Sequence, residues 1–318
     1  MSIAYITHDD CALHDMGGIH PECPERLSAI NDRLIASGLG MILQHHEAKQ
    51  ATVEQIARVH GKAYVEHIHQ QSPKEGLHWI DGDTAMNPKT LDAALYAAGA
   101  AVQAVDLVMS GYPKQAFCAV RPPGHHAERS RSMGFCIFNN VAVGAAHAME
   151  EHGLERVAIL DFDVHHGNGT EHIFTGEPRV LFCSTFQHPF YPGCGHDTDE
   201  SNIVNVPLPA GTQGIEFREA VHEKILPRLE EFQPQLLMFS AGFDAHTADD
   251  MSHMNLIDDD YAWVTRAAFK IVEQSGEGRV VSMLEGGYEL QSLARSVEAH
   301  LKAFLGGHEM DSAGGGMI

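Results

Sequence analysis

The chain has 318 residues, enough for one large α/β domain or two small ones. Its hydrophobic content of 44% is that of a globular protein, and its net charge of -22 argues against a nucleic-acid backbone as partner. An acidic surface suits cationic groups such as lysine side chains or polyamines instead. The opening residues, MSIAYITHDD, lack the basic stretch and apolar core of a secretory signal. No apolar run approaches the ~20 residues of a bilayer span, so no membrane partner is expected. Six cysteines without paired spacing point to a reducing, cytoplasmic setting.

Residues 3–7 read as a first strand. A helix spans 24–37, with Pro24 at its first position and Gly38 closing it. Short helices follow at 52–59 and 62–69, then a turn at Asp81-Gly82-Asp83. Residues 88–110 form a long alanine-rich helix ended by Gly111. Strand 116–120 runs into RPPGHH, and helix 138–152 ends at Gly153. Strand 157–160 is apolar throughout, as a strand buried on both faces should be. It runs into DFDVHHGNGT, where a helix starts by Thr170.

Strand 179–184 is followed by a Pro- and Gly-rich loop, 185–214, carrying a short strand at 202–206. Helix 215–232 contains Pro227, which kinks or ends it. Strand 236–240 leads into AGFDAH, helix 258–274 opens on acids, and strand 279–284 leads into EGGY. A last helix spans 290–305. The alternation of strands and helices predicts one α/β domain over 1–306 around a parallel sheet, with a Gly-rich tail at 307–318.

Ligands of open α/β sheets bind beyond the carboxyl ends of the strands. Four predicted strands end in chemically active residues. Asp161, Asp163 and His165 alternate, so an extended chain points them to one side. Burying such groups is costly without a metal ion. Asp163, His165 and Asp244 make a three-ligand set with an open fourth position, which suits catalytic zinc and is also compatible with iron. No further acidic cluster supports a second metal. His125 and His126 follow the rigid Pro122-Pro123-Gly124 turn and are candidates for a general base. Asp161 is placed to orient one imidazole and Asn168 the other. Tyr288, after two glycines, is a candidate hydroxyl donor to an oxyanion.

RPPGHH, GFCIFNN, DFDVHHGNGT, SAGFDAH and LEGGY, in that order, resemble the zinc-dependent histone deacetylase superfamily. The class II branch and bacterial members, including acetylpolyamine amidohydrolase-like ones, are the most similar. The resemblance runs from His20 to about Leu305. It implies the arginase/deacetylase fold, a single domain with an eight-stranded, mainly parallel sheet flanked by helices on both faces.

By the same resemblance Asp163, His165 and Asp244 are the zinc ligands. His126 is the general base, and His125 is the partner that stabilises charge near the leaving amine. Asp161 pairs with His125 and Asn168 with His126, and Tyr288 is the catalytic tyrosine. Phe135 corresponds to one wall of an acyl-lysine channel, and Phe190 or Tyr191 to the other, with Gly134 and Gly286 against the substrate. Asp81 or Asp83 corresponds to the group that holds the substrate backbone, and Arg26 to the arginine of the inner acetate pocket. Met251 stands where polyamine-selective relatives carry a glutamate. Structural potassium is implied at Asp161, Asp163, His165 and Ser184, and again at Phe174 and Val180. The implied activity is zinc-dependent removal of acyl groups from the ε-amine of lysine in peptides or proteins. The alternatives are an acetylpolyamine amidohydrolase or another zinc hydrolase of amides or esters. Bacterial relatives are often homo-oligomers.

Overall fold

The computed structural model describes residues 2–18 and 20–306; the expected tail at 307–318 lies outside the described residues. The first half of the chain contains β1 (Ile3–Thr7), α1 (Glu25–Ala36), β2 (Gln44–Glu47), α2 (Val53–Ile56) and α3 (Lys62–Gln71). A short hairpin, β3 (His78–Trp79) with β4 (Ala85–Met86), precedes α4 (Thr90–Met109), β5 (Gln115–Cys118) and α5 (Asn140–His152). The second half contains β6 (Val157–Asp161), α6 (Asn168–Phe174), β7 (Val180–Gln187), β8 (Ile203–Leu208), α7 (Gly214–Ala220) and α8 (Leu226–Phe232). It closes with β9 (Leu236–Ala241), α9 (Asp258–Ser275), β10 (Val280–Leu284) and α10 (Leu290–Leu305).

Eight strands form one sheet in the order β2-β1-β5-β10-β9-β6-β7-β8, and every neighbouring pair is parallel. The four strands that lead into the chemically active motifs, β5, β10, β9 and β6, are consecutive neighbours at its centre. Parallel pairing therefore delivers RPPGHH, EGGY, AGFDAH and DFDVHH to one contiguous edge. Each of these strands is buried along its whole length, which explains the near-continuous apolar runs.

Three features differ from the sequence expectations. Strand β2 reads QHHE and lies at the sheet edge with alternate residues exposed, so no apolar run announced it. Helix α4 is 20 residues long and apolar enough to cross a bilayer, contrary to the expectation that no run approached that length. It is instead a core helix with 13 buried residues, packed on α5. The helix expected at 215–232 is interrupted by a π-helical turn over Val221–Ile225. Pro227 has no N–H for the i−4 bond, and the hydrogen-bond register shifts just before it.

Beneath the sheet, His300 on α10 is fully buried among Phe117, Phe162, Phe239, Phe243 and Phe304. Thr265 Oγ1 donates to the Tyr261 carbonyl (2.6 Å), so it accepts from His300 Nδ1 (2.6 Å). Nε2 is then the acceptor for the Ser282 hydroxyl (2.8 Å). The ring is neutral with both nitrogens satisfied, and burial pushes its pKa down to about 3. In the unfolded chain it returns to about 6.5. Stability from this group is therefore complete above about pH 6.5 and is lost as the pH falls toward 3. Urea unfolding at pH 7, 6 and 5 should show this loss. His300→Leu should be less stable at pH 7 but lose less on acidification, and an unchanged pH slope in that variant would refute the assignment.

Candidate active site

The loop after β6 is shaped by its own carboxylates. Asp161 Oδ1 accepts from the Asp163 amide (3.1 Å), and Asp163 Oδ1 accepts from the His165 amide (2.9 Å). Asp244, after β9, reaches across so that its Oδ1 accepts from Val164 N (3.0 Å). From β10, the Gly286 amide donates to Asp163 Oδ2 (2.8 Å). These bonds gather Asp163, His165 and Asp244 into one buried group with their donor atoms within 4.8 Å of one another. His165 Nδ1 lies 3.1 Å from both Asp163 Oδ1 and Asp244 Oδ2.

Electrostatically this group sets two carboxylates against one imidazole. Burial opposes charge on His165, but Asp163 and Asp244 outweigh it and push the imidazole up to about 10. Burial and the neighbouring Asp163 push Asp244 up to about 6. Two carboxylates and one imidazole, converging and dry, fit a divalent cation of the zinc or iron type with a coordination position left over. A second carboxylate–imidazole group, Asp106 with His147 and His152, lies between α4 and α5. There Arg58 Nη1 donates to His147 Nδ1 (3.0 Å), so His147 Nε2 carries the proton and donates to Asp106 Oδ1 (2.8 Å). That is a closed hydrogen-bond chain, not an open ligand set.

His125 and His126 are buried side by side, with ring centroids 4.0 Å apart, yet their partners differ. His125 Nδ1 bonds Asp161 Oδ2 (2.9 Å). Burial disfavours its charge, but Asp161 and Asp163 prevail and push it up to about 10. His126 Nδ1 meets Asn168 Oδ1 (2.8 Å), whose orientation is fixed because Asn168 Nδ2 donates to Glu128 Oε1 (2.9 Å). An amide oxygen only accepts, so Nδ1 carries the proton and Nε2 keeps its lone pair. Burial, then the His125 and His165 charges, hold His126 well below the ordinary histidine range. One imidazole is thus a cation and its neighbour a neutral acceptor.

A cavity of about 220 Å³ ends on this group, lined by Asp83, His126, Gly134, Phe135, His165, Phe190, Tyr191, Met251 and Tyr288. Phe190 stacks on the His165 ring (centroids 5.5 Å), and Tyr191 sits edge-on to His126 (5.2 Å), so both contribute to the wall opposite Phe135. Asp83, not Asp81, reaches the cavity: its Oδ1 accepts from Gly134 N (2.9 Å) and its Oδ2 from the Tyr191 hydroxyl (3.2 Å). Asp81 caps its own turn and accepts from Ser132 Oγ (2.6 Å). Gly134 has φ +57, and a Cβ there would lie 2.3 Å from His126 Cδ2. Phe135 also holds a positive φ of 68, an uncommon conformation for a bulky residue, pinned by Thr84 Oγ1 accepting from its amide (3.1 Å). Burial and then the Asp244 carboxylate raise the Tyr288 phenol well above its usual range, so it remains a donor.

Three expected site residues, Arg26, Phe174 and Val180, lie outside the channel. Arg26, expected at an inner acetate pocket, is not among the residues that line the channel itself. It is buried behind Tyr288, donating to the carbonyls of Gly287 and Glu285, ion-paired with Glu22, with its guanidinium 5.0 Å from the Tyr288 ring centroid. It braces the tyrosine loop because an unpaired guanidinium could not be buried there. The carbonyls of Phe174 and Val180 accept from the Asn202 side-chain amide (2.8 and 3.0 Å). Ser184 lies beside Asp161, its register partner on β7, and contacts His166 Nδ1 (3.2 Å).

Three positioning groups escaped the sequence reading. Glu285 Oε2 accepts from the amides of Gly124 (2.7 Å) and His125 (3.1 Å), and burial pushes this carboxyl up to about 7. Asp249 Oδ2 accepts from the amides of Tyr288 (2.6 Å) and Glu289 (3.0 Å). Asn139 Nδ2 donates to the Ala127 carbonyl (3.2 Å), tying the histidine loop to the start of α5. An acid within an otherwise apolar strand end was the available signal for Glu285. Asp249, in a polar loop, had none.

A buried Asp–His–Asp group at the centre of a parallel sheet, under a narrow aromatic channel, defines a hydrolase of the arginase/deacetylase fold. A histone deacetylase domain matches residues 20–304. Histone deacetylase 14, chloroplastic, of Arabidopsis thaliana is 40% identical over 309 residues, covering 90% of this chain and 73% of that protein. Polyamine deacetylase HDAC10 of Homo sapiens is 36% identical over 327 residues, covering 96% of this chain and 48% of that protein. The solved HDA15 HD domain superposes with a TM-score of 0.90 at 32% identity, covering 97% of this chain and 91% of that one. The chain belongs to the histone deacetylase family, and with it to the deacetylase class of hydrolases.

Gly286 packs against two of the carboxylates at once: a Cβ there would lie 2.2 Å from Asp244 Oδ2 and 2.5 Å from Asp163 Oδ2. Gly286→Ala should therefore lose most bound divalent metal, measured by elemental analysis of the purified protein. Gly82→Ala, whose Cβ meets nothing within 4 Å, should retain it. Equal metal content in the two variants would contradict this close packing.

Proposed function

We propose that the protein removes acyl groups from the ε-amine of lysine side chains. The observation that carries this reading is the 220 Å³ cavity, apolar along Phe135, Phe190, Tyr191 and Met251 and ending on His126, His165 and Tyr288. An aliphatic lysine stem suits such walls, and a scissile amide at the end of that stem meets acid–base groups.

Zinc held by Asp163, His165 and Asp244 would supply Lewis-acid polarisation of the carbonyl and activation of water. His126 Nε2, neutral and oriented by Asn168, takes the proton from the attacking water. The Tyr288 hydroxyl donates to the developing oxyanion, held in place by Asp249 on its backbone and Arg26 against its ring. His125, kept positive by Asp161, stabilises charge as the amine departs, and His126 returns its proton to that amine. Asp83, at the cavity rim, is available to a substrate main-chain N–H. Asp161 and Ser184, side by side, suit a structural potassium ion. Six free cysteines suit a reducing compartment such as the cytoplasm.

Deacetylation of polyamines is the second reading, favoured by the likeness to a relative named for that activity. Met251 weighs against it: an apolar side chain faces the cavity where a cationic chain would gain from an acid. Asp249 is turned inward to the Tyr288 backbone, and Asp250 is exposed. Turnover of an acetyl-lysine peptide should exceed that of N-acetylputrescine, compared as kcat/KM. The reverse order would transfer the assignment to polyamines.

Tyr288→Phe should lower kcat by about 10²–10³, the usual cost of one oxyanion donor, with zinc content unchanged. Near-full turnover in that variant would remove Tyr288 from the mechanism.

A further inference from the structure

The resemblance to the family implies a second potassium ion at Phe174 and Val180, and the space between those carbonyls is already filled. Asn202, just before β8, is buried and points its side chain into the turn between α6 and β7. Its Nδ2 lies 2.8 Å from the Phe174 carbonyl oxygen, 3.0 Å from that of Val180 and 3.2 Å from that of Glu177. Three carbonyls spaced three residues apart converge on a single nitrogen. The amide cannot be turned the other way, because its Oδ1 accepts from the Gly176 amide (3.2 Å). A flip would set one oxygen against three others and leave Gly176 N–H facing an NH₂ group.

We infer that the Asn202 side-chain amide replaces the second alkali cation, so that the cradle at Phe174, Glu177 and Val180 binds no potassium in this chain. Carbonyl dipoles aimed at one point repel one another and need positive charge or donors at that point. A cation would answer all three. The amide brings two N–H groups, one shared between two carbonyls, and a partial positive charge on a tethered atom. The Asn202 carbonyl accepts from Phe182 N (2.9 Å), so the residue is fixed at both ends and the turn is joined to β8. The join is permanent and indifferent to the ionic composition of the medium. Alkali-cation dependence is then confined to the site beside the active centre, at Asp161 and Ser184, while the 174–180 turn holds its shape in any salt.

Thallium(I), a heavy stand-in for potassium, tests this. Crystals of the wild-type protein grown in a thallium(I) salt should show no anomalous peak within the Phe174–Glu177–Val180 triangle and an ordered Asn202 amide in its place. Asn202→Ala opens the same triangle and should show a peak there. In solution its melting temperature should rise with potassium more steeply than that of the wild type. A thallium peak inside the wild-type triangle, with Asn202 swung away, overturns the inference. So does an Asn202→Ala cradle that takes up no thallium. Should that variant fail to fold, the wild-type crystal decides alone.

Discussion

The constraint on which the rest depends is electrostatic. Asp161, Asp163, Asp244 and Glu285 are buried at the ends of three adjacent parallel strands, β6, β9 and β10. Like charges in a dry site repel, and each carboxylate must find donors or shed its charge. The fold supplies backbone amides from Gly124, His125, Asp163, Val164, His165 and Gly286, together with the imidazoles of His125 and His165. Glycine at 286 lets β10 come close enough to donate. Acid accumulated where a metal can balance it is costly to build and useful once built.

From that arrangement follows the division of labour between two adjacent histidines. They share a loop and a degree of burial, and only His126 lines the cavity. The second residue of each pair differs, an aspartate for His125 and an asparagine for His126. The carboxylate favours the protonated ring, and the amide fixes a tautomer without adding charge. Opposite protonation states at a separation of 4.0 Å are thus set by one atom of difference in the partner.

Much of this was legible in the sequence because buried parallel strands write themselves as apolar runs and their ends as abrupt polar motifs. β5, β6, β9 and β10 could be read, and with them Asp163, His165, Asp244, His125 and His126. β2 could not, since an edge strand of sequence QHHE has no buried side to mark it. The choice between Asp81 and Asp83 was open because both lie in one turn, and only the turn's geometry separates inward from outward. Arg26 was read by resemblance as the arginine of an inner acetate pocket, but its partners, Glu22 and the carbonyls of Glu285 and Gly287, left no signal in the motif. Asn202 lay outside every motif. Its contacts are with main-chain atoms, which leave no imprint on side-chain pattern.

The position of Arg26 bears on how the molecule is made. A residue from the first helix holds carbonyls 259 and 261 positions later, while β10, the penultimate element, is inserted between β5 and β9. The middle of the sheet is laid down last. Until β10 is made, the groups β2-β1-β5 and β9-β6-β7-β8 lack the strand that joins them, and the site lacks Gly286 and Tyr288. Joining the two groups requires long-range pairings, the slow kind. Exposure to misassembly thus lasts until β10, the last of the strands, slides into the gap.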